Sequence, residues 1–359
     1  MFQKIFLKAQ SLFLVCKKYL VAFALIVVLV SVVKLFSYSH SKTDTAYQDL
    51  FHSNYKVYDV PIPQDLSFAD EKVPTTDFMV REALEKELLI NTYWPSQTLL
   101  LEKRANRWFS IIEPILKVHN IPDDFKYIAL VESQLTNAVS PQGAVGFWQM
   151  ISPTAKGYGL EVSDEVDERY HVAKSTEAAC KYFAEAYAQF KDWTLVAASY
   201  NLGITGIQAQ LDKQKVKTFY DLLLTDETSR YIFRILSIKE IISRPKLYGF
   251  LLRKKDLFPP ILTKKITIDS AITNLAEFAL AFKINYKILK LYNPWLRSNA
   301  LSNPEKKKYT IELPQGSVNI YDIDGNYYGS NKLSPMDSIN LMFNFTISSD
   351  TTITTSPPK

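Results

Sequence analysis

The chain has 359 residues, 47% of them apolar, with 21 tyrosines and 21 phenylalanines, enough for two domains around an aromatic-rich core. Its 42 basic and 37 acidic residues leave a net charge of only +5 with no Lys/Arg-rich arm, which argues against a nucleic-acid-binding protein. Two cysteines, Cys16 and Cys180, build no disulfide framework, and His40, His52, His119 and His171 lack ligand spacing, so neither a metal nor another cofactor is expected.

The first predicted element is a single transmembrane helix over residues 19–36. Tyr19 to Val33 carries no charge, and with Leu35 and Phe36 the run approaches the ~20 residues needed to span a bilayer, with one lysine intervening. Lys4, Lys8, Lys17 and Lys18 precede it with no acid among them, which places residues 1–18 in the cytoplasm and the remainder outside it. A cleaved signal peptide is the competing reading, for which "FSYSHS" offers a poor Ser-x-Ser site. Residues 37–75, with "VPIPQD" and "EKVPTT", read as a linker.

Helical periodicity then runs through residues 76–258. "NRWFSIIEPILKVHN" places Trp108, Ile111, Ile112, Ile115 and Leu116 on one stripe. Asp123 is expected to cap the helix in "DFKYIALVES", Ser152 the one in "SPTAKG", and Ser175 the one in "STEAACKYFAEAYAQF". "WTLVAASYNLG" and "TSRYIFRILSIKEII" complete a helical domain with no convincing strand. Over 262–315 the pattern changes to strand, helix, helix, strand: "KKITID", "TNLAEFALAFKI", "NYKILKLYN" and "KKYTIELP". The tail 316–359 is Ser/Thr-rich and is expected to be poorly ordered.

Chemistry concentrates around Glu132. It ends the apolar run "YIALV", so its carboxyl would sit among apolar neighbours, where desolvation keeps the proton on near neutrality as a general acid requires. A solvated helix-end glutamate is the alternative, and spacing alone does not decide between the two. Six of the ten glycines lie between Gly143 and Gly206, directly behind it, where the backbone is expected to need freedom or a close approach to a ligand.

From about Asp123 to Phe250 the chain resembles the lytic transglycosylases that share a fold with goose-type lysozyme, particularly the membrane-bound murein transglycosylase D type. The family's Glu-Ser pair stands here as Glu132-Ser133, and its Gly-Leu-x-Gln element as Gly146-Phe147-Trp148-Gln149. Its Ala-Tyr-Asn-x-Gly element stands as Ser199-Tyr200-Asn201-Leu202-Gly203, and a Glu-Thr-x-x-Tyr segment as Glu227-Thr228-Ser229-Arg230-Tyr231. Phe147 and Ser199 depart from the usual Leu and Ala without removing a functional polar group. The resemblance implies a mainly α, lysozyme-like catalytic domain with Glu132 as its single acid/base, cleaving between N-acetylmuramic acid and N-acetylglucosamine and closing a 1,6-anhydro ring without water. It also implies that Ser133 and Gln149 bond around the carboxyl and the sugar, that Tyr200 orients Glu132 or the acetamido group, and that Asn201 fixes its loop or contacts substrate. Glu227, Tyr231 and Tyr170 are candidate cleft residues, and Trp148 is either core or a stacking surface.

An inverting muramidase would need Asp164 or Asp167, in "EVSDEVDER", to hold a water; a solvated loop with helix caps is the plainer reading. A catalytically silent wall-binding scaffold is a further alternative. The unit at 262–315 resembles a divergent LysM domain through Leu289, Asn293 and "KKYTIELP", with "AITNL" in place of the usual Gly-Asp-Thr-Leu turn. It is either a glycan-binding module or a structural cap. The expected partners are peptidoglycan glycan strands and, through one anchor, the bacterial inner membrane, with the catalytic domain facing the periplasm.

Overall fold

The computed structural model describes residues 17, 19–21, 23–34, 44–54, 56–316 and 346–347. Two compact units divide it, residues 1–59 and 60–359. In the first, residues 17, 19–21 and 23–34 are helical with exposed side chains, and α1 spans Asp44–Asn54. Residues 22, 35 and 36 of the expected span, and all of 1–18 except Lys17, lie outside the described residues. Among the described residues no helix is long and apolar enough to cross a membrane.

The second unit is mainly helical. Asp77 opens α2 (Phe78–Tyr93) by accepting hydrogen bonds from the Met79 and Val80 amides at 2.8 and 3.1 Å, which satisfies two donors that the first turn leaves unpaired. Pro95 starts α3 (Pro95–Val118), whose buried stripe is Leu101, Ala105, Phe109, Ile112 and Leu116. That stripe is rotated from the expected one: Phe109 takes the inward position, and Trp108 is only partly buried, its edge against the Phe147 ring. After α4 (Lys126–Ser133) and the short α5 (Ser152–Gly157) come α6 (Val172–Phe190), α7 (Trp193–Leu202), α8 (Ile204–Gln214) and α9 (Asp226–Ser243). In α6 Ala179, Tyr182, Phe183 and Ala186 face inward as their spacing predicts.

None of the three expected caps forms: Ser152 is itself the first residue of α5, which follows Ile151 with no side-chain cap bond. A 3₁₀ turn, Asp123–Phe125, precedes α4, so Asp123 forms no cap and instead pairs with the Lys126 amine at 2.5 Å. α6 begins three residues before Ser175, whose hydroxyl donates to the His171 carbonyl at 2.9 Å.

The stretch from Val60 to Thr75 departs from the expected linker. Val60, Leu66, Phe68 and Val73 are buried in the helical core, and a two-residue hairpin pairs β1 (Ser67–Phe68) with β2 (Glu71–Lys72). Apolar residues spaced among prolines read as linker in sequence but here lie flat on the helices. Asp124 accepts from the Ala69 amide at 2.7 Å and from the Lys239 amine at 2.5 Å, tying this strap to α9. Glu71 crosses to the start of α7, where its carboxylate accepts from the Trp193 and Thr194 amides at 2.6 and 2.9 Å.

The C-terminal module has the expected order. β3 (Thr263–Ile268) pairs antiparallel with β4 (Tyr309–Pro314) in the register Ile266↔Ile311, and α10 (Leu275–Ala281) and α11 (Tyr286–Tyr292) lie between them in sequence. Asn274 and Asn285 cap the two helices through their side chains. Asn293 is fully buried: its amide donates to the Glu312 carbonyl at 2.7 Å and its Oδ1 accepts from the Glu312 amide at 2.8 Å, pinning the end of α11 to β4. Of the tail, β5 (Thr346–Ile347) runs parallel to β3, and the remainder beyond Gly316 lies outside the described residues.

Candidate active site

Glu132 sits in the last turn of α4, whose other residues from Lys126 to Ser133 are all buried. The helix stops because Gln134 and Leu135 both take left-handed backbone, at φ 57° and 53°. That turn leaves the carboxyl at the helix end, largely enclosed. Burial is the main cause that raises its pKa from the ordinary 4.5 to about 7; Glu227 pushes the same way, while Tyr231 and the Arg234 guanidinium oppose. Tyr231 Oη donates to Glu132 Oε1 at 2.5 Å. Tyr231 is itself buried on α9, so the donor cannot swing away cheaply.

The other expected residues divide between this centre and its supports. Ser133 is buried and donates to the Phe147 and Ala129 carbonyls at 2.8 and 3.1 Å, joining the end of α4 to the following loop. Gln149, at φ 47°, donates its amide to the Ala138 and Gly146 carbonyls at 3.0 and 2.8 Å. Tyr200 Oη donates to the Trp148 carbonyl at 2.7 Å, so it holds the loop's backbone; it is close enough to Glu132 for the carboxyl to help raise its phenol pKa, after burial. Asn201 accepts from the Thr228 hydroxyl at 2.8 Å, tying α7 to α9. Trp148 is core: it is fully buried and its indole N–H donates to the Thr176 hydroxyl at 2.9 Å.

Glu227 lines an open cavity of about 370 Å³ beside Glu132, together with Trp94, Val131, Gln134, Arg230 and Arg234. Tyr170 is not brought to this cavity. It is buried in a second apolar cluster shared with the C-terminal module, its ring under the Arg297 guanidinium at 4.0 Å.

The loop from Ala138 to Met150 is folded by backbone bridges between Val139 and Val145 and between Val145 and Met150. Gly146, at φ 80°, is required by a close approach: a Cβ there would lie 2.1 Å from the Arg169 carbonyl oxygen. The neighbour demanding glycine is therefore the chain itself. Asp167 caps the 3₁₀ turn Glu168–Tyr170, as expected, by accepting from the Arg169 amide at 3.1 Å, but the run is not solvated there. Asp167 is only 6% exposed and Arg169 8%; the guanidinium donates to both carboxylate oxygens, at 2.9 and 2.7 Å, and to the Gly143 and Met150 carbonyls at 3.0 and 3.1 Å. Asp164 is exposed.

Sequence reasoning missed Arg234 and the Asp167–Arg169 pair. The first is one charge in the helical pattern of α9; the second is hidden inside a charge run whose ordinary meaning is a wet surface. It also missed Glu102, buried on α3 with its pKa raised to about 7 by burial and Oε1 without a hydrogen-bond partner among the described residues. Among the described residues no cluster of side chains could hold a metal ion.

Comparison with known proteins matches residues 109–223 to the transglycosylase SLT domain and residues 264–317 to the soluble lytic transglycosylase C-terminal LysM-like domain. Membrane-bound lytic murein transglycosylase D of Escherichia coli strain K12 is 28% identical over 253 residues, which cover 67% of this chain and 54% of that protein. The chain thus spans about half the length of that curated relative. A putative tributyltin chloride resistance protein of Alteromonas sp. strain M-1 is 27% identical over 189 residues, 50% of this chain and 87% of that one. Among solved structures, lytic transglycosylase Slt from Pseudomonas aeruginosa aligns over 42% of this chain and 26% of its own at 17% identity and a TM-score of 0.33. The SLT model ends before α9, so Tyr231, the donor to Glu132, lies beyond it. The chain thus matches an SLT domain around Glu132 and a LysM-like domain behind it, and over two thirds of its length it is similar to membrane-bound lytic murein transglycosylase D.

Proposed function

We propose that the protein is a peptidoglycan lytic transglycosylase that cleaves the β-1,4 bond between N-acetylmuramic acid and N-acetylglucosamine and acts in cell-wall remodelling. The observation that carries this reading is the Glu132 carboxyl, enclosed at a helix end, kept protonated to about pH 7 and held by Tyr231 at 2.5 Å. Glu132 gives its proton to the glycosidic oxygen as the C1–O bond breaks. The muramic acid's own acetamido oxygen supports the charge at C1 in place of a second carboxylate. The carboxylate left on Glu132 then takes the proton of the 6-hydroxyl as O6 bonds to C1, which closes the 1,6-anhydro ring and restores the acid. Asp167, one of two candidates for holding an attacking water, is occupied by Arg169, which favours the lyase over the inverting muramidase. Mass spectrometry of products released from purified sacculi tests the reading: anhydro ends are expected, and reducing ends without them would mean hydrolysis.

Tyr231 bears on the pH dependence. Because its bond lowers the Glu132 pKa, Tyr231→Phe raises it. The acid form starts the reaction, so activity declines as pH rises through about 7, and in Tyr231→Phe that decline shifts to higher pH. The pH profile of kcat/KM reads this directly; an alkaline limb that stays put or moves down would sink it.

We also propose that residues 19–36 tether the enzyme to the inner membrane with the catalytic unit in the periplasm. The lysine imbalance across the uncharged run supports this. Protease added to spheroplasts should then remove the bulk of the chain, whereas a free mature protein beginning near Ser39 would rule the tether out.

A further inference from the structure

The C-terminal module is seated on the loop Glu161–Tyr170, and the contacts are specific. The Glu165 carboxylate accepts from both the amide and the hydroxyl of Ser302, at 2.8 and 2.7 Å, and its carbonyl accepts from the Arg297 amide at 2.7 Å. The Asp167 amide donates to the Trp295 carbonyl at 2.9 Å, Val166 bridges to Leu296, and Tyr309 Oη donates to the Glu161 carboxylate at 3.0 Å. Polar bonds to the module therefore run from Glu161 to Asp167.

The same loop holds the one that carries Gly146 and Gln149. Arg169 donates to the carbonyls of Gly143 and Met150, at the two ends of that segment, and its own carbonyl presses on Gly146. Val145, next to Gly146, has its side chain in the module's apolar cluster with Val166, Tyr170 and Leu296. On its other side the segment touches the chemistry: Ser133 bonds the Phe147 carbonyl and Tyr200 the Trp148 carbonyl, both within reach of the helix end that bears Glu132.

Resting on the proposed function of that centre, we propose that the module is a brace for the active site, with Arg169 and Val145 as the positioning residues that carry its seating to the Gly146–Gln149 turn. Its loss of grip would slow the chemical step without weakening substrate binding. A module serving only to retain the enzyme on the wall would need none of these contacts; flexible tethering raises effective concentration without them.

The test uses the full chain with Glu165→Ala, which opens the clamp on Ser302 at a partly exposed site far from Glu132 along the chain. Hydrogen exchange of amides 140–150 is expected to quicken by about 2- to 30-fold, the range of couplings carried through packed networks, while amides of α7 keep their protection. Turnover of soluble glycan should show a matching fall in kcat at unchanged KM. Exchange that quickens only around 161–170 and 295–302 overturns the proposal, and so does a loosened 140–150 segment with unchanged kcat. Should Glu165→Ala fail to fold, Ser302→Ala removes only the hydroxyl bond and is read in the same way. If the wild type releases no product, the proposed function fails by itself, and the exchange result alone decides the brace.

Discussion

Replacing Glu132 with glutamine is expected to abolish release of anhydro-muropeptides while leaving glycan binding nearly intact. Glutamine keeps the size and one acceptor for Tyr231 but has no acidic proton to give and no carboxylate to take one back. General acid–base assistance is worth ~100- to 10,000-fold, and a residue that serves first as acid and then as base should sit at the upper end. The same variant carries a second, independent signature in stability. The unfolded chain ionises this carboxyl near 4.5, whereas the folded chain holds the proton to about 7. Wild-type stability is therefore complete below 4.5, declines as pH rises through 7, and stays lower above it. The glutamine variant has no such titration, so its melting temperature should gain on the wild type between pH 5 and pH 8. A variant that releases anhydro products at even a tenth of the wild-type rate would remove Glu132 from the mechanism. A melting difference independent of pH would show that its carboxyl is not enclosed.

The second large effect is expected at Asp167, where the sequence suggests a nearly silent site. Asp167→Ala strips a buried guanidinium of its only charged partner among the described residues, and breaking a buried pair on one side costs about 3–5 kcal/mol. For a unit of this size that is a fall in melting temperature of roughly 10 °C. Asp167→Asn keeps some of the hydrogen bonding and should fall between. Asp164→Asn, three residues earlier and exposed, should stay within about 0.5 kcal/mol of wild type. Thermal melts of the three variants decide the matter, and high salt should change little, since a pair this enclosed is poorly screened. An Asp167→Ala melt within a degree or two of wild type would contradict the buried pair.

What the sequence made legible follows from how local each cause is. The inward face of α6, set by 3.6-residue spacing within four or five residues, was readable, whereas the caps expected at Asp123, Ser152 and Ser175 are displaced because each helix begins elsewhere. Glu132 was readable for the same reason, as an acid closing an apolar run. The partner that shapes its acidity is 99 residues away on another helix, and only the fold brings Tyr231 to it. The glycines behind Glu132 signalled a close approach, but not that the approaching group is the Arg169 carbonyl. Asp167 and Arg169 failed in the opposite sense. Six acids and bases within nine residues look solvated, and nothing local says that two of them are covered by the turn at Gly143 and by Trp295 of a distant module.

The strap before α2 has a practical consequence for where the molecule can be divided. Glu71 supplies two of the acceptors at the first turn of α7, the helix that bears Tyr200 and Asn201, and Phe68 fills space against the Phe125 ring at 5.3 Å. Trimming to the matched interval at residue 109, or even to the first long helix at 78, would strip an anionic cap from that helix and open an apolar hollow beneath it. The smallest self-sufficient excised fragment therefore starts at Val60, nearly fifty residues ahead of where the SLT domain match begins, and homologues lacking an equivalent of Glu71 must satisfy those amides some other way.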